Sequence, residues 1–100
     1  MQERRRSSRK YLLTEVRWEG QGSRAVNRIS DIGVHGVFID TMNPMPIGAN
    51  LTFTFDIPAT HHHVQTSGVV VQSQPNIGMG VQFTALAPED EQHIREFVGF

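Results

Sequence analysis

Two short polar segments contain the residues best suited to bind a charged ligand. The first contains Arg5 and Arg9, spaced R-x-x-x-R, and the second runs from Asp31 to Gly36 with the pattern D-x-G-x-x-G. An arginine side chain carries a planar, permanently charged fork that can donate two hydrogen bonds to one phosphate. A carboxylate accepts hydrogen bonds from N–H donors. Together the two segments predict a site for an anionic ligand that also carries N–H groups.

The charge distribution favours an anionic partner for the N-terminal segment. Residues 1–10 contain five basic side chains and one acid, a net charge of +4, whereas residues 11–100 contain four arginines and nine acids, a net charge of −5. A concentrated basic segment attracts anions, although charge alone is equally typical of a solvated tail. Arg4 and Arg6 are interpreted as accessory phosphate contacts or as solvated charges. His35 either contacts the ligand or faces water.

The spacing of apolar residues predicts an all-β domain. Residues 51–57 alternate strictly between apolar and polar side chains, which is typical of a half-buried strand. Pro88, followed by three acids, predicts the start of a helix. Gly68 predicts a bend or bulge in its strand. The other strands are predicted at residues 10–18, 24–31, 37–39, 64–72 and 79–85.

Six short strands and one terminal helix predict a six-stranded antiparallel β-barrel with a short C-terminal α-helix. Closure removes exposed strand edges, and a sandwich of the same strands is the alternative. Residues 1–9 are then a flexible basic arm that carries R-x-x-x-R, and residues 10–100 form the barrel and its helix.

The order of these features resembles the PilZ family, whose members carry R-x-x-x-R near the start and [D/N]-x-S-x-x-G some 20–30 residues later. The stretch I-G-M-G-V-Q-F at residues 77–83 is similar to a strand common in that family. The resemblance covers nearly the whole chain, and it implies a receptor for the bacterial second messenger cyclic di-GMP rather than an enzyme.

The resemblance also implies roles for individual residues. Arg5 and Arg9 would bind guanine and phosphate, while Asp31 accepts hydrogen bonds from guanine. Gly33 and Gly36 would line the second side of the site, Gly36 through a positive φ or through a close approach of the ligand to the backbone. Ligand binding would order the arm and so signal to an unidentified protein partner.

One position departs from the family pattern, because the serine of the motif is Gly33 here. A lost hydroxyl removes one hydrogen bond, worth about 1 kcal/mol, or roughly five-fold in affinity. A second alignment, R-I-S-D-I-G at residues 28–33, restores the serine but places arginine where the acid belongs. The Asp31 register is preferred because Gly36 then leads directly into an apolar strand.

Three other readings stay open at this point. Taken alone, Asp31-x-Gly33 favours a turn between two strands that binds no ligand. The chain could be a PilZ-like interaction adaptor that has lost its nucleotide. A nucleic-acid-binding barrel fits the basic arm, but the acidic remainder and the few aromatic residues argue against it.

Catalysis, metals and membranes have little support in the sequence. The chain has no cysteine, no G-x-S-x-G elbow and no P-loop. Residues 61–63 are three consecutive histidines, but no acid or cysteine lies near them in sequence, so neither a metal site nor a cofactor is expected. The basic start is followed by serines and not by an apolar stretch, and no apolar run could span a bilayer. A cytoplasmic location is expected.

Overall fold

The chain folds into a closed barrel of six antiparallel strands, in the computed structural model that describes residues 9–99 and, among their side chains, those of residues 14–99. The strand order around the barrel is β1-β2-β3-β6-β5-β4, and the pairing of β1 with β4 closes it. This confirms the predicted fold class and excludes the open sandwich. The elements are β1 (Arg9–Gly20), β2 (Ser23–Gly33), β3 (Gly36–Asp40), β4 (Asn50–Asp56), β5 (His63–Gln74), β6 (Gly78–Phe83) and α1 (Pro88–Val98).

The alternation seen in the sequence decides which side chains fill the barrel. Leu51, Phe53 and Phe55 of β4 are buried, whereas Thr52 is exposed. The Phe53 ring stacks on Phe55 and also on a phenylalanine of β6, with ring centroids 6.2 and 6.1 Å apart. Stacked aromatic rings add to the apolar burial that stabilises the core.

The helix α1 packs its apolar face on the barrel, against β1 and β2. Ile94 and Val98 are buried and Phe97 is half-buried, as their helical spacing predicts. Pro88 begins the helix, and Gly99 ends it with φ of 81° while its N–H donates to the carbonyls of two residues in the last turn. Within the described residues, no helix combines the length and apolar character needed to cross a membrane.

The irregularity predicted in β5 lies beyond the glycine that suggested it. The register between β5 and β6 shifts between Val70 and Gln72, so the bulge falls at Val71. Gly68 instead allows close packing, because a Cβ there would lie 2.6 Å from the carbonyl oxygen of Gln82. A glycine in a strand therefore marked a close backbone approach rather than a bulge.

Candidate functional site

A row of outward-facing residues crosses four neighbouring strands of the barrel wall. Asp31 on β2 pairs with Phe38 on β3, Phe38 pairs with Gly80 on β6, and Gly80 pairs with Gln72 on β5. The next row along the strands, which begins at Ile32, is buried in the core. Because successive strand residues point to opposite faces, the Asp31 row lies on the outer surface.

A bulge explains how Asp31 comes to face outward. The β2–β3 register shifts between Ile29 and Asp31, and the β1–β2 register also shifts nearby. As a result Ser30 and Asp31 are both partly exposed, while Ile29 and Ile32 on either side are fully buried. An extra residue in one strand of a pair re-aims the side chains beside it, a device often found next to binding sites.

The row forms the floor of a groove of about 340 Å³, which we call the outer groove; Asp31 and residues 35–38, 71–72 and 80–82 line it. This volume falls in the range of small-molecule sites. Asp31 is the single carboxylate among these described lining residues, and none of them is a lysine or arginine. An anionic ligand in the outer groove would therefore need cations from another part of the chain.

Glycines and one aromatic ring shape this wall. A Cβ on Gly78 would overlap the Phe38 ring, so the ring lies over that glycine. At Gly80 a Cβ would lie 3.3 Å from the Cβ of Gln72, a tight contact. Gly80 thus keeps the floor of the outer groove low, and the half-buried Phe38 supplies an apolar surface beside Asp31.

Gly36 has a packing role that sequence analysis described only in part. It is absent from the positive-φ residues of the described chain, so the first of the two predicted reasons for a glycine is wrong. A Cβ on Gly36 would overlap the carbonyl oxygen of Val81 on β6. The glycine lets β3 and β6 approach each other, and its backbone lines the outer groove.

The two motifs meet at the junction of β1 and β2. The strand β1 begins at Arg9, whose Cα lies opposite Gly33, and Tyr11 lies opposite Asp31. The backbone of Arg9, the second arginine of R-x-x-x-R, therefore lies on the strand next to the D-x-G-x-x-G segment. Arg4, Arg5 and Arg6 lie outside the described residues.

His35 lies in the turn between β2 and β3, where it is exposed. Its carbonyl oxygen accepts a hydrogen bond from the Phe83 N–H at 2.9 Å, and the residue lines the outer groove. The backbone bond ties the turn to β6 and leaves the imidazole at the rim. His35 is thus placed where either of its predicted roles can operate.

Three groove residues were not singled out by sequence analysis: Phe38, Gln72 and Gly80. They lie 7 to 49 residues from Asp31 along the chain, and only the strand register brings them beside it. The alternation of apolar and polar residues could have placed Phe38 in a strand. It could not have shown that the ring faces outward, because residues 37–39 are uniformly apolar.

Comparison with solved structures supports the fold. The structure of the Bacillus subtilis inhibitor of motility MotI/DgrA superimposes with a TM-score of 0.79 at 16% identity, covering 96% of this chain and 50% of that one. The Borreliella burgdorferi PlzA protein in complex with c-di-GMP gives a TM-score of 0.65 at 14% identity, covering 84% and 32%. This chain thus spans half the length of the first protein and about a third of the second.

Sequence comparison assigns the family. The search of curated proteins found no match to the chain. The model of the PilZ domain, however, matches residues 3–100, which is nearly the entire sequence. A match of that extent, on a closed six-stranded barrel with a trailing helix, shows that the chain belongs to the PilZ domain family.

Proposed function

We propose that this domain is a receptor for cyclic di-GMP that binds the ligand between the N-terminal arm and the outer groove. Arg5 and Arg9 contact phosphate and guanine, Asp31 accepts hydrogen bonds from guanine, and Gly33 and Gly36 form the adjoining wall. The domain acts by binding and not by catalysis. Ligand binding orders the arm, and a protein partner reads the altered surface.

The observation that carries this proposal is the β1–β2 register. Arg9 lies opposite Gly33, two residues from Asp31 along the neighbouring strand. Diagonal neighbours on adjacent antiparallel strands, as Arg9 and Asp31 are, lie about 7–8 Å apart, which is still within the reach of a long side chain. The chain N-terminal to Arg9 therefore starts beside the outer groove, which favours a ligand held by both segments.

The charges of the outer groove complement this arrangement. Its described residues offer a carboxylate for guanine but no cation for the two phosphodiesters. Residues 1–10 contain five basic side chains. Arginine can bind phosphate, donate to the O6 and N7 atoms of guanine and stack on a base. The arm thus supplies the interactions that the groove lacks.

The lining of the outer groove also favours the alignment of the family motif that begins at Asp31 over the one that begins at Arg28. Arg28 lines a different depression, together with Glu15 and Asp40, while the Ser30 hydroxyl donates to Asp40 Oδ1 at 2.8 Å. In the Asp31 alignment, by contrast, Asp31 and Gly36 line one groove. The PlzA structure supports the choice of ligand, since about a third of that protein superimposes on this fold and the protein is in complex with c-di-GMP.

Calorimetric titration with cyclic di-GMP tests the proposal. We expect binding at micromolar concentrations, and much weaker heats with the linear dinucleotide and with GMP. The Arg9→Ala variant loses charge-assisted hydrogen bonds worth about 1.5–3 kcal/mol, so its affinity should fall roughly 10- to 150-fold.

Arg17→Ala is the matched control for that variant. Arg17 lies on the same strand, and its exposed side chain pairs with Glu15 at 3.4 Å, away from the outer groove. Its substitution should leave the affinity unchanged. If folded wild-type protein gave no heat with cyclic di-GMP, the receptor proposal would fall and the interaction-adaptor hypothesis would replace it.

A further inference from the structure

A second polar cluster lies where the loop between β4 and β5 meets the start of α1, and none of its members lines the outer groove. It contains His62 from the loop and Glu89, Asp90 and His93 from the helix. The middle histidine of the triplet thus turns toward the helix, while the exposed His63 pairs with Asp56. The fold brings to His62 the acids that are absent from its sequence neighbourhood.

A hydrogen bond to the helix fixes the orientation of the His62 ring. Its Nε2 atom lies 2.8 Å from Asp90 Oδ1, and the two side chains are 19% and 14% exposed. A carboxylate only accepts, so Nε2 carries the proton that it donates. In the neutral ring the Nδ1 atom then keeps its lone pair. A carboxylate bound to one ring nitrogen while the other binds a metal is a common arrangement in zinc proteins.

Glu89 and His93 are four residues apart, so they lie on the same face of α1. The His93 ring stacks on His62, with centroids 3.7 Å apart and an angle of 10° between the planes. One potential ligand atom from each of His62, Glu89 and His93 lies within 4.8 Å of the others. Two histidines and one carboxylate are therefore brought close together from two different elements.

We propose that His62, Glu89 and His93 form a binding site for a zinc-class divalent cation, with Asp90 orienting His62. Two imidazoles and a carboxylate suit zinc, whereas calcium and magnesium prefer all-oxygen sites. Ligand atoms about 2.0–2.1 Å from a tetrahedral ion lie roughly 3.3 Å apart. For the ligand atoms to move from 4.8 Å apart to this separation, the two rings must leave their stacked arrangement and the exposed Glu89 must turn inward.

The bound ion would fasten the β4–β5 loop to the first turns of α1. Water would complete the coordination, because three protein ligands leave the fourth position open. The site goes beyond cyclic di-GMP binding, and either could be present without the other.

Zinc titration of the full-length chain, without a polyhistidine tag, tests the site. We expect one Zn²⁺ per chain by calorimetry, and visible absorption bands of low-symmetry coordination when Co²⁺ replaces zinc. The His93→Ala and Glu89→Gln variants remove ligands, so both should lose stoichiometric binding. Asp90→Asn should weaken binding about 10- to 100-fold, since it alters only the group that orients His62.

His61→Asn is the matched control, because asparagine tolerates the positive φ of 62° found at that position. It removes a neighbouring histidine that lies outside the cluster, and zinc binding should persist. Absence of zinc binding by the folded wild type, or wild-type affinity in both ligand variants, would overturn the proposal. So would equal loss in His61→Asn. Circular dichroism establishes whether each variant is folded. If His93→Ala is unfolded, the zinc affinity of Glu89→Gln, which changes an exposed side chain, tests the proposal.

Discussion

At the scale of single residues, the outer groove depends on where one bulge places one carboxylate. Asp31 faces outward because β2 accommodates an extra residue next to it, while Ile29 and Ile32 stay in the core. The position two residues later, Gly33, lies opposite Arg9. In the proposed site, we therefore expect a side chain added at Gly33 to change the affinity for the nucleotide.

Gly33→Ser should tighten cyclic di-GMP binding. The family motif has serine at this position, and Gly33 is not among the positive-φ residues, so a side chain introduces no backbone strain. A new hydroxyl hydrogen bond is worth about 1 kcal/mol, or roughly a five-fold gain in affinity. Calorimetry measures it, with Ser30→Ala as a control on the same strand that should not change the affinity. An unchanged or weaker affinity of folded Gly33→Ser would show that the hydroxyl has no role here.

At the scale of strands, a glycine on β3 and a glycine on β6 have different packing roles. Gly36 permits the close approach of β3 to β6, where a Cβ would overlap a backbone carbonyl. Gly80 keeps the groove floor low, where a Cβ would lie 3.3 Å from the Cβ of Gln72 and 3.9 Å from the Val71 side chain. The overlap at Gly36 is therefore severe, whereas at Gly80 a shift of a few tenths of an ångström would relieve the contact.

Gly36→Ala should therefore destabilise the barrel more than Gly80→Ala does. Forcing an extra methyl into a filled space typically costs about 1–3 kcal/mol. Urea unfolding followed by circular dichroism should show a lowered midpoint for Gly36→Ala. Gly80→Ala, the matched control, should lower the midpoint less, because its Cβ would lie 3.3 Å from a side-chain carbon rather than overlap a carbonyl oxygen. Equal stability of the two variants would contradict the assigned packing role of Gly36.

The elements themselves were largely predictable, and the reasons are visible in particular residues. Strict alternation placed β4 in the wall with Phe53 inside, and helical spacing placed Ile94 in the core. The bulges were not predictable, since Gly68 pointed to the wrong residue of β5. A bulge depends on the pairing of two strands, and neither sequence alone specifies it.

The candidate sites were likewise predictable only in part from the sequence. Of the predicted residues in the segment 31–36, Asp31, His35 and Gly36 line the outer groove, and Gly33 is not among its lining residues. Phe38 and Gly80 reach that groove only through the β3–β6 register. His62 and Asp90 are 28 residues apart, so the cluster beside α1 could be recognised only after the barrel had closed.

At the scale of the whole molecule, closure makes the wall of the barrel rigid. All six strands are paired on both sides, so no unpaired edge remains in the described barrel. The wall is thus poorly suited to move when a ligand arrives. We therefore expect the conformational response to come from residues N-terminal to β1, where ordering on the ligand changes the surface offered to a partner.

Cyclic di-GMP should stabilise the intact chain far more than a chain that lacks residues 1–8. A ligand at 100 times its Kd stabilises the native state by about 2.7 kcal/mol, and for a domain of this size each 1 kcal/mol raises Tm by about 4–8 °C. Thermal unfolding should therefore show a rise of roughly 10–20 °C for the intact chain. The shortened chain retains Arg9 and every strand but loses Arg5. If its affinity is about 10- to 150-fold weaker, the same ligand concentration stabilises it by only about 0.3–1.4 kcal/mol, so its Tm should rise by at most about half as much. An equal rise in both chains would mean that the barrel wall alone binds the nucleotide, and the signalling role assigned to the arm would be wrong.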